Sequence, residues 1–171
     1  AKARSVRVGE DEQELGPDTE GTFAALVIKT VNDPFSGKLT IFRVVRGSID
    51  KDTGVYNATK NDKERFGEIF ALQGKKTEPL GHAALGDIVA VAKLKDTATF
   101  DTLCAEKTDI IVNTPDLPPP MITYLVRAAS KGEEDKIKQG LTKLREEDPT
   151  ITVGQDEMTS EIVMTGMGQS H

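Results

Sequence analysis

Short apolar segments separated by turn residues dominate the chain from Thr22 to about residue 113. The first segment, TFAALVIKTV, is β-branched and almost continuously apolar, as expected for a strand covered on both faces. DPFSGK follows, in which Pro34 fixes φ and Gly37 permits positive φ, so it predicts a tight turn before a second strand, LTIFRVVRG. Strands spaced roughly 8–12 residues apart with turns between them predict a β-barrel or sandwich.

The rest of this region follows the same rhythm. VYNATK and RFGEIFAL predict strands, and the polar NDKE between them predicts a turn. QGKKTEPLGHAALGD predicts an irregular connection, and IVAVAKL and DTLCAE complete the region. No helical periodicity is present between Thr22 and Val112, so we expect a mostly β fold.

TPDLPPP, residues 114–120, divides the chain, because successive prolines favour an extended spacer and cannot continue a sheet interior. After it the order is strand (MITYLVRA), helix, strand (TITV) and strand (EIVMTG), the first part of a ferredoxin-like domain. We therefore predict a linker or arm at 1–21, a β-barrel over 22–113, a proline-rich linker at 114–120 and an incomplete ferredoxin-like α/β domain over 121–171. The missing final elements indicate a fragment of a longer protein.

The predicted helix has clear sequence signals. Ser130 and Glu133 have the Ser-x-x-Glu spacing of a capping box, in which each side chain bonds to the backbone of the other. Ile137, Leu141 and Leu144 follow at i, i+4 and i+7, which predicts one apolar face.

The charge balance limits the binding partners. The 171 residues include 28 acidic and 22 basic side chains, for a net charge of −6, which argues against wholesale non-specific nucleic-acid binding. A local basic face on an acidic body remains compatible with this balance. Candidate RNA contacts lie on three neighbouring hairpins or loops: Arg43, Arg46, Lys60, Lys63, Arg65, Lys75 and Lys76. Spacing alone favours the alternative, dispersed surface charges balanced by nearby carboxylates.

Residues suited to covalent or metal chemistry are sparse. The sequence contains no GxxxxGK[ST] phosphate loop and no GxGxxG, so no nucleotide-binding residues are predicted in it. One cysteine and two distant histidines make a poor metal site, and Cys104 is expected to be a buried side chain. No apolar run is long enough to span a membrane, and the first residues lack the apolar centre of a secretory signal, so neither is expected. We predict no catalytic, cofactor or metal residues.

Several longer stretches resemble one protein family. DPFSGKLTIFRVVRGSI, GDIVAVAKLKDTATFDTLC, LREEDPTITV and DEMTSEIVMTGMGQSH are similar to translation elongation factor G, in order and almost without gaps from about Thr22 onward. They match its second domain, a β-barrel, and much of its third, a ferredoxin-like domain. Arg127-Ala128-Ala129 stands where the family usually has Glu-Pro-Lys, which resembles a divergent paralogue more than the housekeeping factor.

The resemblance implies a mechanical role. The barrel would dock on the small ribosomal subunit, on its RNA and protein, with Arg65 as the best single candidate for an RNA contact. The α/β domain would couple GTP state to distal domains during translocation. GTP and Mg²⁺ would be bound by the parent's GTPase domain, and the cytoplasmic parent would be a ribosome-dependent GTPase.

Two other functions remain open on the sequence. One is a free-standing RNA-binding module, and the other is a ribosome-protection factor with the same domain order. An enzyme with an active site between the domains is disfavoured, because no base–nucleophile pair is apparent.

Overall fold

The computed structural model describes residues 4–8, 10–33, 37–74, 76–128, 130 and 132–171. Within them the chain forms sixteen β-strands and one α-helix, in two compact units, Ala1–Thr114 and Pro115–His171. The elements are β1 (Arg4–Val8), β2 (Asp11–Leu15), β3 (Ala24–Asp33), β4 (Gly37–Arg46), β5 (Ser48–Asp50), β6 (Gly54–Asn57), β7 (Asp62–Arg65), β8 (Ile69–Gln73), β9 (Lys76–Leu80), β10 (His82–Ala84), β11 (Ile88–Ala92), β12 (Thr102–Cys104), β13 (Ile110–Val112), β14 (Ile122–Val126), α1 (Glu134–Glu147), β15 (Thr152–Gln155) and β16 (Ile162–Gly166).

The first unit is built on an eight-stranded antiparallel sheet in the order β7-β6-β12-β3-β4-β11-β8-β9. Its inner face buries a core that includes Phe23, Phe42 and Phe66, whose ring centroids lie 5.1 to 6.4 Å apart. The predicted mostly β fold class is confirmed. In the part of the chain that the structure describes, β7 and β9 end the hydrogen-bonded sheet and do not close it into a barrel.

A second sheet, β13-β1-β2, covers part of the outer face of the large sheet. Val6, Leu15 and Val112 of this sheet are buried with Tyr56 and Cys104 in one cluster, called here the outer cluster. The prediction that residues 1–21 form an arm outside the core is therefore wrong for 4–8 and 11–15. Their strands bury only one face, so most of their side chains are polar and exposed.

Two connections in the first unit also differ from the sequence prediction. NDKE, Asn61–Glu64, was expected to be a turn, but β7 begins at Asp62 and the turn lies before it. The expected irregular connection after Gln73 contains β9 and β10. β7 and β9 are edge strands, where charged residues and proline are tolerated, and this composition hides the strand pattern.

Glycine turns fix the ends of β4. Gly37 has φ +75°, as the predicted turn requires, whereas Pro34 lies outside the described residues. Gly47 has φ +64°, and its N–H donates to the Asp18 carbonyl at 2.7 Å. A Cβ at Gly47 would overlap the Gly21 carbonyl oxygen, so the close chain crossing needs glycine there.

The second unit has the predicted β-α-β-β order. Its sheet is antiparallel, β14-β16-β15, and α1 lies against β15 with Leu141 buried and Ile137 half-buried. Two details of the helix prediction are wrong. Glu133 is itself the N-cap and makes no side-chain capping bond, so the Ser130–Glu133 capping box does not form. Leu144 is 44% exposed, because it lies at the margin of the helix–sheet contact. No helix among the described residues is long and apolar enough to cross a lipid bilayer.

Candidate nucleic-acid interface

The edge strand β7 carries two neighbouring cations on its outer face. Lys63 lies opposite Tyr56, which belongs to the outer cluster, and Arg65 lies opposite Gly54. Side chains two residues apart in a strand share a face and are separated by about 7 Å. Both cations are exposed, and neither forms an ion pair within the described part of the chain. They are therefore available to an anionic partner.

Glu64, between these two cations in sequence, is on the inner face opposite the buried Val55. Its carboxylate accepts hydrogen bonds from the N–H groups of Lys95 at 3.2 Å, Asp96 at 3.0 Å and Thr97 at 3.2 Å. It also accepts a bond from the Thr97 hydroxyl at 3.0 Å. This carboxylate attaches β7 to the loop 95–97 and makes no ion pair with Lys63 or Arg65.

A buried polar network holds the turn that precedes β7. The Asn57 amide donates to Asp101 at 2.8 Å and to the Thr97 hydroxyl at 3.3 Å, and all three residues are buried. Lys60 Nζ lies 3.6 Å from Asp101 Oδ2 and also donates to the Asp96 carbonyl. Lys60, a predicted RNA contact, is thus engaged in holding this turn to the loop.

Arg46 is engaged in a similar way. Its Nη2 lies 3.3 Å from Asp18 Oδ2, and its side chain packs over Gly21, where a Cβ would overlap the guanidinium. The Glu20 N–H and then the Arg46 guanidinium hold the pKa of Asp18 below its ordinary value. Arg46 therefore connects the end of β4 to the segment before β3.

The remaining candidates lie elsewhere on the sheet. Arg43 is exposed on the outer face of β4, opposite Leu26 and the exposed Ile88. Lys76 is at the turn end of the β8–β9 hairpin, on the opposite sheet edge from β7. Lys75 lies outside the described residues. The structure brings Lys63 and Arg65 together but does not gather the seven predicted cations on one face.

Lys107 is a basic residue that the sequence analysis missed. It lies across a cleft of about 270 Å³ from Lys63, in the connection between β12 and β13. This connection has no periodic pattern, and only the folded sheet places it next to β7. No signal in the sequence alone could have paired these two lysines.

Cysteine and histidine are the side chains best suited to nucleophilic or metal chemistry. Cys104 is buried in the outer cluster, and burial raises the pKa of its thiol to about 11. His82 Nδ1 lies 2.8 Å from Asp50 Oδ1 at the surface. Among the described residues, no three His, Cys, Asp or Glu side chains are placed to hold a metal ion.

The fold and the family comparisons together define a two-domain part of a translation factor. The model of elongation factor G domain 2 matches residues 22–106, and the model of elongation factor G domain III matches residues 117–171. The chain belongs to the elongation factor G family and covers its domains II and III. The predicted family resemblance is confirmed.

A solved structure supports the fold assignment. The crystal structure of ttk003000868 from Thermus thermophilus is similar to this chain with a TM-score of 0.75 and 24% sequence identity. The match covers 88% of this chain and 23% of that one, so the present chain spans less than a quarter of the protein it resembles. At this identity the similarity concerns the fold.

Proposed function

We propose that the first unit docks on the small ribosomal subunit and that β7 contacts its RNA. The observation that carries this proposal is the pair Lys63 and Arg65, exposed together on an edge strand without an ion-pair partner among the described residues. Phosphate contacts need charge and fixed geometry and no nucleophile, which fits a chain poor in reactive groups. Arg43 is a further candidate contact on the same outer face.

The second unit couples the GTP state of the parent protein to its distal domains. Its match to elongation factor G domain III supports this role. Tyr124 and Leu125, adjacent residues on opposite faces of β14, are each 45% exposed, so both faces of the sheet retain apolar surface. Exposed apolar surface of this kind is suited to contacts with other domains.

GTP and Mg²⁺ are bound by a GTPase domain of the parent, which hydrolyses GTP in the cytoplasm when stimulated by the ribosome. Calorimetry of the 171-residue chain with GTP and Mg²⁺ tests whether nucleotide binding belongs to another domain of the parent. We expect no measurable heat of binding. Tight, Mg²⁺-dependent binding would show that this chain contains a nucleotide site of its own.

Binding of the chain to purified small ribosomal subunits tests the docking proposal. The double variant Lys63→Gln/Arg65→Gln should bind more weakly, by about twofold to fivefold for each lost exposed charge contact. Its salt dependence should also be shallower, because fewer counterions are released. Lys143→Gln removes an exposed cation from α1 and is the control. Equal effects of the double variant and the control would contradict the proposal.

A short oligouridylate extends the same experiment. A platform shaped for the assembled subunit should bind a short single strand much more weakly than it binds the subunit. Equal affinity for the two would instead support a free-standing RNA-binding module.

A further inference from the structure

A cleft of about 270 Å³ opens beside the outer face of the β6–β7 hairpin. The segment that follows β12 forms its other wall, so residues distant in sequence face each other across it. Its lining includes Gly54, Tyr56, Lys63, Ala105, Glu106 and Lys107.

The charges around this cleft favour an anion. Lys63 and Lys107 lie on its two sides, and neither makes an ion pair with any residue the structure describes. Arg65 follows Lys63 on the same face of β7. Glu64 also borders the cleft and keeps its negative charge, but its carboxylate is directed to the N–H groups of the loop 95–97. Glu106 is the exposed carboxylate that opposes an anion here.

Gly54 leaves the mouth of the cleft open. It lies opposite Arg65, and a Cβ built on it would meet no atom within 4 Å. Its φ is outside the left-handed region, so a larger side chain could occupy this space without backbone strain. A glycine in a strand often marks a place where another backbone approaches closely.

The largest side chains at the base of the cleft are buried. Val55 and Tyr56 are 3% and 6% exposed, so no large apolar side chain stands open for an anchor residue to pack against. Two lysine ammonium groups on opposite walls act as point charges, a pattern suited to the oxygens of one phosphate.

We propose that this cleft holds one phosphodiester group of the docked RNA, with Lys63 and Lys107 as its two ligands and Arg65 on the neighbouring phosphate. This inference rests on the proposed docking function and adds a residue and a defined site to it.

Three single variants of the 171-residue chain test the site through binding to small ribosomal subunits. Lys107→Gln should weaken binding about twofold to fivefold and reduce the log–log salt slope by about 0.7 to 0.9. Gly54→Gln should weaken binding by filling the mouth of the cleft. Glu106→Gln should strengthen binding, because it removes the opposing charge. Lys143→Gln, on α1, is the control that changes net charge away from the cleft.

A double-mutant cycle of Lys63→Gln and Lys107→Gln tests whether the two lysines share one phosphate. Shared ligands should couple, so the combined loss should be smaller than the product of the two single losses. Thermal unfolding of every variant checks the fold, and Gly54→Gln supplies the site test if Lys107→Gln fails to fold.

The outcomes separate this inference from the docking function. If the wild-type chain does not bind the subunit, the docking proposal itself is wrong. If Lys63→Gln/Arg65→Gln weakens binding while Lys107→Gln and Gly54→Gln do not, docking stands and the cleft is not a phosphate site.

Discussion

Glu64 Oε1 accepts two hydrogen bonds from Thr97, one from the backbone N–H at 3.2 Å and one from the hydroxyl at 3.0 Å. The same carboxylate binds the N–H groups of the two preceding loop residues. Glu64, which lies between two basic residues of the edge strand β7, therefore attaches that strand to the loop 95–97. Lys63 and Arg65 are thus carried by a strand that is held by this carboxylate as well as by its pairing with β6.

Replacing Glu64 with alanine should destabilise the first unit by about 2 to 4 kcal/mol. The substitution removes a charged carboxylate that accepts four hydrogen bonds. It also leaves the N–H groups of the loop 95–97 without this acceptor. The free energy of unfolding from urea denaturation measures the loss.

Glu68→Ala is the matched control for this prediction. Glu68 pairs with Lys51 at 3.4 Å between two exposed side chains, so its removal should cost about 1 kcal/mol or less. Comparable losses for Glu64→Ala and Glu68→Ala would mean that the loop 95–97 does not depend on Glu64.

Gly47→Ala should destabilise the first unit by more than about 2 kcal/mol. The residue has φ +64°, and an added Cβ would overlap the Gly21 carbonyl oxygen. Gly37→Ala separates the two causes, because Gly37 has φ +75° but no atom within 4 Å of an added Cβ. It should cost only the conformational part, about 1 to 2 kcal/mol. If the two variants unfold at the same urea concentration, the overlap at Gly47 does not contribute to the loss of stability.

Local sequence pattern was sufficient to predict the most apolar strands of the large sheet. β3 and β4 are apolar and β-branched over most of their length, and turn residues separate them. The second unit was predictable for a related reason, because Leu141 falls on the buried side of an amphipathic helix between strands. In both places the local preference and the final environment agree.

The edge strands and the β1–β2 hairpin were not predictable in the same way. Only one face of these strands is buried, so a polar composition is compatible with a strand once its partner is known. β1 pairs with β13, about a hundred residues away, through contacts such as Val6 opposite Val112. Local propensity does not contain that information.

The candidate interface was predictable in its residue types and not in its geometry. The sequence identifies the cations, but long-range partners decide which are available: Asp18 engages Arg46, and Asp101 engages Lys60. Strand register places Lys63 and Arg65 on the outer face. The position of Lys107 beside the same cleft as Lys63 depends on where the chain leaves the sheet after β12.

The ionisation of Cys104 should couple to the stability of the first unit at alkaline pH. Burial raises the pKa of the folded-state thiol from 9.0 to about 11, so folding favours the neutral form. The stabilisation is complete below the unfolded pKa of about 9 and is lost as pH rises toward about 11. The free energy of unfolding of the wild type, minus that of Cys104→Ala, should fall by about 2 to 3 kcal/mol across this window.

The difference between the two proteins is the quantity to measure, because lysine and tyrosine titrate in both. Thiol labelling gives a second readout at pH 8, where the buried neutral thiol should react with iodoacetamide far more slowly than in the urea-unfolded chain. Equal labelling rates would contradict both the burial of Cys104 and its raised pKa.

The turn between β15 and β16 should respond to acid through Asp156. Its Oδ1 accepts from the Thr159 N–H at 2.8 Å, the Met158 N–H at 3.0 Å and the Thr159 hydroxyl at 3.1 Å. The backbone bond from Thr159, followed by that from Met158, holds the pKa of Asp156 below its ordinary value. The carboxylate therefore supports the turn at neutral pH, and this support is lost as pH falls through the lowered pKa.

Amide chemical shifts of Met158 and Thr159, followed by NMR from neutral to acid pH, measure this titration directly. Met158 is 95% exposed, so packing does not hold the turn and the two amides report the Asp156 hydrogen bonds. Both shifts should move together with a midpoint below that of an ordinary aspartate, and Asp156→Asn should abolish the movement. Shifts that titrate at an ordinary aspartate midpoint, or that titrate equally in Asp156→Asn, would show that these N–H groups do not stabilise the ionised carboxylate.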